Sequence, residues 1–468
     1  MLPGDVAVLD VGKTLTKMSL FTAEARLLAQ RSYKNRIVVA DGRRWLDTDG
    51  IERWVRTTLH EFGHVGSLAA IVPVGHGAAA ALVRGDALAC PVPDYEDPID
   101  PAIRAAYDTQ RDGFHATGSP ALPGGLNLGA QLYRLERDRP EIWANGTSII
   151  PWTQFWAWKL CGVAASEVSS LGCHTDLWFP AEDRPSSMAR RFGWADRLAP
   201  MRRAEHALGP VASEWAATTG LPKETRVYCG AHDSNAALHA VRAHPMVAGR
   251  DATVISTGTW FVAMRLPVTG AKLDLATLPE SRDCLVNVDI TGRPVPSARF
   301  MGGRELDMLG GLDAAETSEA LAALPSVLRS GAMVLPGGVP GVGPYPKAPG
   351  GWVAEPRGAP ARAAAAALYA ALMADTSLEL IGARDLVIVE GRFASSELFT
   401  RALATIRSND QIVVNRGPGG GVTFGALRLV DDQLPVPGPL DRIAPLELDL
   451  SAYQSRWKSA VSREGNYR

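Results

Sequence analysis

The octet Gly230-Ala231-His232-Asp233-Ser234-Asn235-Ala236-Ala237 carries a carboxylate from a short apolar run into a small-residue helix, through a tight Gly-led turn. Phosphoryl transfer to a hydroxyl needs alignment, charge neutralisation and one carboxylate to accept the proton. Asp233 suits that role. It suits a helix N-cap equally, and the residues alone leave both open. Two turns, Asp10-Val11-Gly12-Lys13-Thr14 and Ser256-Thr257-Gly258-Thr259, are built from Gly and Thr. Such tips offer backbone N–H groups and hydroxyls to phosphate oxygens, because glycine lets the main chain approach closely. A carboxylate at the mouth, Asp10, can hold Mg²⁺ through water. Either turn alone is also an ordinary hairpin tip, but one opens each half of the chain.

Two resemblances to other chemistry fail on spacing. Gly12-Lys13-Thr14 imitates the tail of a P-loop, yet position 7 is Ala7 where that motif needs Gly, and residues 15–22 read as strand where it needs helix. His60-Glu61-Phe62-Gly63-His64 matches the H-E-x-x-H pattern of zinc proteases. Gly63 falls where the helical pattern dies and reads as a helix C-cap, so a helix end with two surface histidines is the expectation. A zinc hydrolase on His60 and His64 is the weaker reading.

Elements must hold these groups in place. Residues 6–9 and 16–22 read as two strands of a hairpin, 47–62 as an amphipathic helix, and 68–74 as a buried strand. Residues 92–125 read as irregular, and 127–160 as helical with a Trp-rich stretch. Residues 226–229 form a strand before the 234–241 helix, and 253–256 another before the second Gly/Thr turn. A Gly/Pro-rich loop follows at 336–351, then a long Ala-rich helix at 362–381 and a strand at 385–389. Helix and strand alternate as in an α/β fold, and each half opens with a Gly/Thr hairpin. The 468 residues exceed one core, so two domains of about 200 residues each are expected. Their boundaries are placed at 1–244 and 245–440, with 441–468 a tail.

A net charge of −2 without a basic stripe argues against nucleic acid. Cys90, Cys161, Cys173, Cys229 and Cys284 show no C-x-x-C pair, so no disulfide framework is expected, and a reducing cytoplasm is the default location. No apolar stretch is read as membrane-spanning, and no membrane partner is expected.

Together these pieces resemble the FGGY carbohydrate kinases, of the actin/Hsp70/sugar-kinase superfamily, over most of the chain. Asp10-x-Gly12-x-Thr14-x-x-Lys17 is similar to the first phosphate motif, and Ser256-Thr257-Gly258-Thr259 to the second. Gly230-x-x-Asp233 with Ala236 and Ala237 matches the segment of the catalytic base. Met301-Gly302-Gly303-Arg304-Glu305 and Gly391-Arg392 resemble the adenosine-side glycine motifs, and 419–426 the small-residue run near the C-terminal end. The resemblance implies two actin-like, ribonuclease-H-like ATPase domains around a cleft that closes to exclude water. It implies ATP and Mg²⁺, a sugar as acceptor, and allows a homodimer. Carried across, Asp233 is the base; His76, Gln154, Phe155, His232 and Asp233 face the sugar. Gly12, Thr14, Lys17, Gly258, Thr259, Gly302, Gly303, Gly391 and Arg392 serve the nucleotide, and Asp10 with Asp233 the metal. Gln154 stands where the family often has Asp, and Arg392 where it has Gly. Lys13 and His174-Thr175 favour a ketose, a ketopentose or deoxyketohexose, over glycerol. A non-catalytic sensor of ATP or sugar is the alternative of a different class.

Overall fold

The computed structural model describes residues 2–271, 273–310, 318–415, 421–435 and 438–464. The chain divides into two compact units. The first comprises residues 1–244, 286–294 and 420–436; the second comprises 245–285, 295–419 and 437–468. The short returns at 286–294 and 420–436 are absent from the boundaries read in the sequence. So is the packing of the expected tail, which carries the Ser451–Glu464 helix with Tyr453 and Trp457 buried.

In the first unit the sheet runs Ala207–Pro210, Arg226–Tyr228, Leu68–Gly75, Asp5–Val11, Leu15–Phe21, Leu27–Lys34, and Ala231–His232 pairs with the end of Leu68–Gly75. Strand residues alternate between faces. Ala7, Leu9 and Val11 join a core with the Thr48–Gly63 and Trp152–Cys161 helices. Val6 and Val8 join another with Ala236, Ala426 and Leu427, from the Asp233–Arg242 and Gly421–Val430 helices. Helices on both faces are what a sheet with a parallel centre requires.

The second unit repeats this theme. Ala252–Thr257 and Phe261–Leu266 form an antiparallel hairpin, Pro294–Phe300 continues it on one side, and Leu386–Gly391 lies parallel on the other. The first unit has the same arrangement in Asp5–Val11, Leu15–Phe21, Leu27–Lys34 and Leu68–Gly75. The duplication suspected from two Gly/Thr turns is therefore one of topology. The Ala359–Leu380 helix is long and apolar enough to cross a membrane by length and composition, contrary to expectation, but most of it is buried inside the protein as a core helix.

Local readings differ in three places. The 127–160 stretch is interrupted by the strand Thr147–Pro151, buried at every residue but Ser148. The irregular 92–125 segment holds two short helices, Pro101–Asp108 and Phe114–Thr117. Gly63 is the last helical residue, and His64 takes the cap position.

Candidate active site

Three neighbouring parallel strands of the first unit end together. Asp10 pairs with Val74, which pairs with Ala231; one step on, Val11 pairs with Gly75 and Gly75 with His232. The register thus gathers Asp10, His76, His232 and Asp233 at the carboxyl ends of the strands, where open α/β sheets bind ligands. Gly230 makes the last turn. Its φ is +74°, and a Cβ there would lie 1.9 Å from the Pro73 carbonyl oxygen, so only glycine fits.

Asp233 is the first residue of its helix, with His232 in the cap position and no side-chain cap bond. Its Oδ1 accepts from the Ser234 N–H at 2.5 Å and the Ser234 hydroxyl at 3.1 Å, and lies 3.3 Å from His232 Nε2. The cap position belongs to His232, while Asp233 Oδ1 takes one helix-start N–H and Oδ2 makes no hydrogen bond among the described residues. The side chain is 28% exposed. Asp10 lies 3.7 Å from Lys17 Nζ, its cross-strand partner. Burial, then the charge of Asp233, pushes the Asp10 carboxyl up to about 6, against the pull of Lys17. The charge of Asp233 beside the buried Asp10 carboxyl is one that a divalent cation would relieve, so both residues would suit Mg²⁺.

The first Gly/Thr turn is pinned by Asn35, a residue with no signature in the sequence. Its Nδ2 donates to the Gly12 carbonyl at 2.7 Å, and its Oδ1 accepts from Thr16 at 2.7 Å. The Gly12 N–H is used within the turn, on Leu15 O at 3.1 Å, so the exposed Thr14 hydroxyl and Lys17 are the groups left for an anion. Lys13 is tied elsewhere. It pairs with the buried Asp94, reaches Glu96 at 3.7 Å and sits 4.6 Å from the Tyr95 ring centre.

His76 donates from Nδ1 to Gly77 O at 2.7 Å, which fixes the tautomer, and packs near Tyr95 and Trp152. Burial lowers its proton affinity to about 4, so the ring is neutral and the buried Nε2, without a partner, is an acceptor. Gln154 is fully buried; its Nε2 donates to Cys229 O and Gly230 O, both at 3.2 Å, and its Oε1 has no partner. It braces the turn that presents His232 and Asp233. Phe155 does not join these groups. It is 1% exposed, among Trp152, Trp156 and Trp158 in the core.

Behind His232 stands a set of side chains that sequence reading passed over. The His232 N–H donates to Ser169 Oγ at 3.1 Å, and that hydroxyl donates to Glu167 Oε2 at 2.6 Å. Asn235 Nδ2 is 3.1 Å from His232 Nδ1, and Cys173 Sγ is 3.4 Å from His232 Nε2. Ser169 and Glu167 differ from an ordinary surface pair only in being buried, which one sequence cannot show. Burial pushes the Glu167 carboxyl up to about 7, against hydrogen bonds from Ser169 and Ser170. Its folded proton affinity exceeds its unfolded one, near 4.5. The stabilisation from that proton is thus complete below about 4.5 and lost as pH rises through about 7. Glu167→Gln should flatten the fall in urea-unfolding stability between those limits by on the order of 3 kcal/mol. Parallel pH profiles for the two proteins would contradict this.

In the second unit the Ser256–Thr259 turn is held from three sides. Thr257 Oγ1 donates to Glu390 O at 2.6 Å and accepts from Phe393 N at 3.0 Å, and Gly258 N donates to Trp260 O at 2.9 Å. Thr259 is exposed at the tip. A Cβ on Gly303 would lie 2.0 Å from Gly258 O, one on Gly391 2.3 Å from Thr257 O, and one on Gly302 2.7 Å from the Phe261 and Phe300 rings. These glycines are required by packing around the turn. Arg392 donates to Asp307 at 2.9 Å and lies over the Phe393 ring. Gly419 and part of the 419–426 run lie outside the described residues.

The H-E-x-x-H histidines are neighbours, with Nε2 atoms 3.4 Å apart, but His60 also contacts Thr219 O and Glu61 pairs with Arg31. Among the described residues no group of three His, Cys, Asp or Glu could hold a metal, so the pair gains no third ligand.

Residues 249–437 match the family model for the carbohydrate kinase FGGY C-terminal domain. A carbohydrate kinase from Novosphingobium aromaticivorans is 46% identical over 99% of both chains, with a TM-score of 0.94. The fold is shared with xylulose kinase from Rhodospirillum rubrum (19% identity, 98% of both chains, TM-score 0.75). It is shared too with Plasmodium falciparum glycerol kinase with ADP (13%, 98% of both, 0.78). The Bacillus subtilis protein YoaC is 31% identical over 152 residues, which span 31% of this chain and 29% of that protein.

Proposed function

The chain belongs to the FGGY carbohydrate kinase family, and from that premise we propose that it transfers the γ-phosphoryl group of ATP to a primary hydroxyl of a ketose, with Asp233 as general base. The observation that carries this reading is the strand register that sets Asp10 and Asp233 together at the carboxyl ends of neighbouring strands, with Asp233 Oδ1 engaged and Oδ2 open. The sugar hydroxyl donates to Oδ2, and the two Ser234 bonds to Oδ1 keep the carboxylate from rotating away. His76 Nε2, a buried acceptor without a partner, suits a second hydroxyl. Gln154 acts through the Cys229–Gly230 backbone, and its free Oε1 is a further acceptor on that side. His232 lies beside the base and touches the same ligand in this reading.

Thr14 and Lys17 meet phosphate oxygens from the first unit; Gly258, Thr259, Gly302, Gly303, Gly391 and Arg392 serve the nucleotide on the second. Asp10 and Asp233 would hold Mg²⁺, whose charge would neutralise the phosphates. A ketopentose or deoxyketohexose is the preferred acceptor class.

An assay of ADP release from ATP and Mg²⁺, run across ketoses, aldoses and polyols, tests the reading. ADP production should depend on a ketose and exceed that with glycerol. Release no faster with any acceptor than with none would leave a sensor of nucleotide or sugar as the better description.

A further inference from the structure

Five cysteines are free, and four have thiols that burial makes harder to ionise: Cys90, up to about 11, Cys284, up to about 12, Cys161 and Cys229. Cys173 is built differently. Its Sγ lies 3.4 Å from His232 Nε2 and is hydrogen-bonded by the ring of His174 as well. The two rings have complementary roles. His174 donates from Nδ1 to Leu126 O at 2.7 Å, which leaves Nε2 to take the thiol proton. Asn235 lies 3.1 Å from His232 Nδ1 and holds the ring with Nε2 toward the sulfur. His174 holds this position with φ at +39°, a left-handed conformation uncommon for a residue other than glycine. The surroundings pull the Cys173 thiol down to about 5 although burial opposes it, the charges of His174 and His232 prevailing.

We infer that Cys173 is a reactive thiolate and a modification site for small electrophiles, hydrogen peroxide among them, and that its modification stops phosphoryl transfer. A base on one side of the sulfur and a hydrogen-bond donor on the other make the arrangement of an activated thiol. On the sugar-loop side Gly77 covers the sulfur. Gly77 lies so close that a Cβ there would come within 2.7 Å of Sγ and 3.2 Å of His232 Nε2.

In the reaction the Sγ proton passes to His174 Nε2. With iodoacetamide the sulfur forms the S–C bond as the C–I bond breaks and iodide leaves. With hydrogen peroxide the S–O bond forms and the O–O bond breaks. The departing hydroxide takes the proton from His174 and leaves as water; sulfur is oxidised to sulfenic acid and peroxide is reduced. An added group on Sγ displaces His232, which lies 3.3 Å from Asp233 Oδ1. The loss of activity rests on Asp233 as base; the reactivity of the thiol does not.

The test is peptide mapping of the native full chain after brief exposure to limiting iodoacetamide at pH 7. Exposure alone favours Cys161, which is half-buried, whereas Cys173 is 3% exposed. Cys173 should label at least tenfold faster than Cys161, and kinase activity should fall in step. Peroxide should block that labelling, and dithiothreitol should restore it. His174→Gln should slow labelling tenfold or more. Cys161 labelling first, or Cys173 labelling only in denaturant, overturns the thiolate. Peroxide that leaves the labelling unchanged overturns the oxidation. Labelled Cys173 with undiminished activity overturns the link to the base.

Discussion

Asp233→Asn should lower kcat by about 10²–10⁴-fold, the range a positioned general base contributes, while nucleotide affinity stays near the wild-type value. The asparagine keeps an oxygen where Oδ1 accepts from Ser234 N and Ser234 Oγ, so the helix start is undisturbed. It places an amide where Oδ2 stood and cannot take the hydroxyl proton. The residue is the first within the helix and not its cap, and the retained side-chain oxygen still takes the Ser234 N–H. Steady-state kinetics with saturating sugar, beside calorimetric titration of ATP, separates the effects. A kcat within tenfold of wild type, with ATP binding intact, would remove Asp233 from the role.

Gly425→Ala should lower stability by about 3 kcal/mol, at the upper end of what overpacking costs. Local propensity argues the other way, because Ala is the better helix former by about 1 kcal/mol. Packing decides the sign. A Cβ at this position would fall 1.7 Å from Ala236 O, and Gly421 approaches Ala237 across the same contact. Backbone cannot yield as a flexible side chain can, so the helices must separate. The partner is the helix that starts at Asp233, and activity should fall with stability. Urea unfolding measures the first effect. Gly209→Ala, where an added methyl meets only a Val163 methyl at 3.8 Å, is the control and should stay within about 0.5 kcal/mol. Equal midpoints for the two variants would refute the packing account.

What could be read in the sequence was local. Short apolar runs around Gly/Thr turns marked both hairpins, the Gly-led turn marked Asp233, and the failed P-loop was excluded by the strand Leu15–Phe21 that follows Lys13 and Thr14. Long-range topology was not readable. Asn35, Glu167, Ser169, Cys173 and Asn235 reach the strand ends only through folding, and a buried Glu has the same letter as an exposed one. Phe155 was misassigned because the aromatic run in which it lies is adjacent to the site in sequence yet inside the core in space. Gly303 and Gly391 were expected to make room for a nucleotide; each makes room first for another stretch of backbone. Composition cannot separate those reasons.

The return of residues 420–436 to the first unit has a consequence for the order in which the protein is made. Ala236 and Ala237 leave the ribosome long before the Gly421–Val430 helix that covers them. At 5–20 residues per second, synthesis of the intervening stretch takes roughly 10–40 s. For that interval the segment bearing Asp233 has one bare face, and the nascent N-terminal unit is unfinished. A kinase competent to act on its substrate therefore forms only after nearly the whole chain has been translated, and the earlier part must be kept from aggregating while it waits.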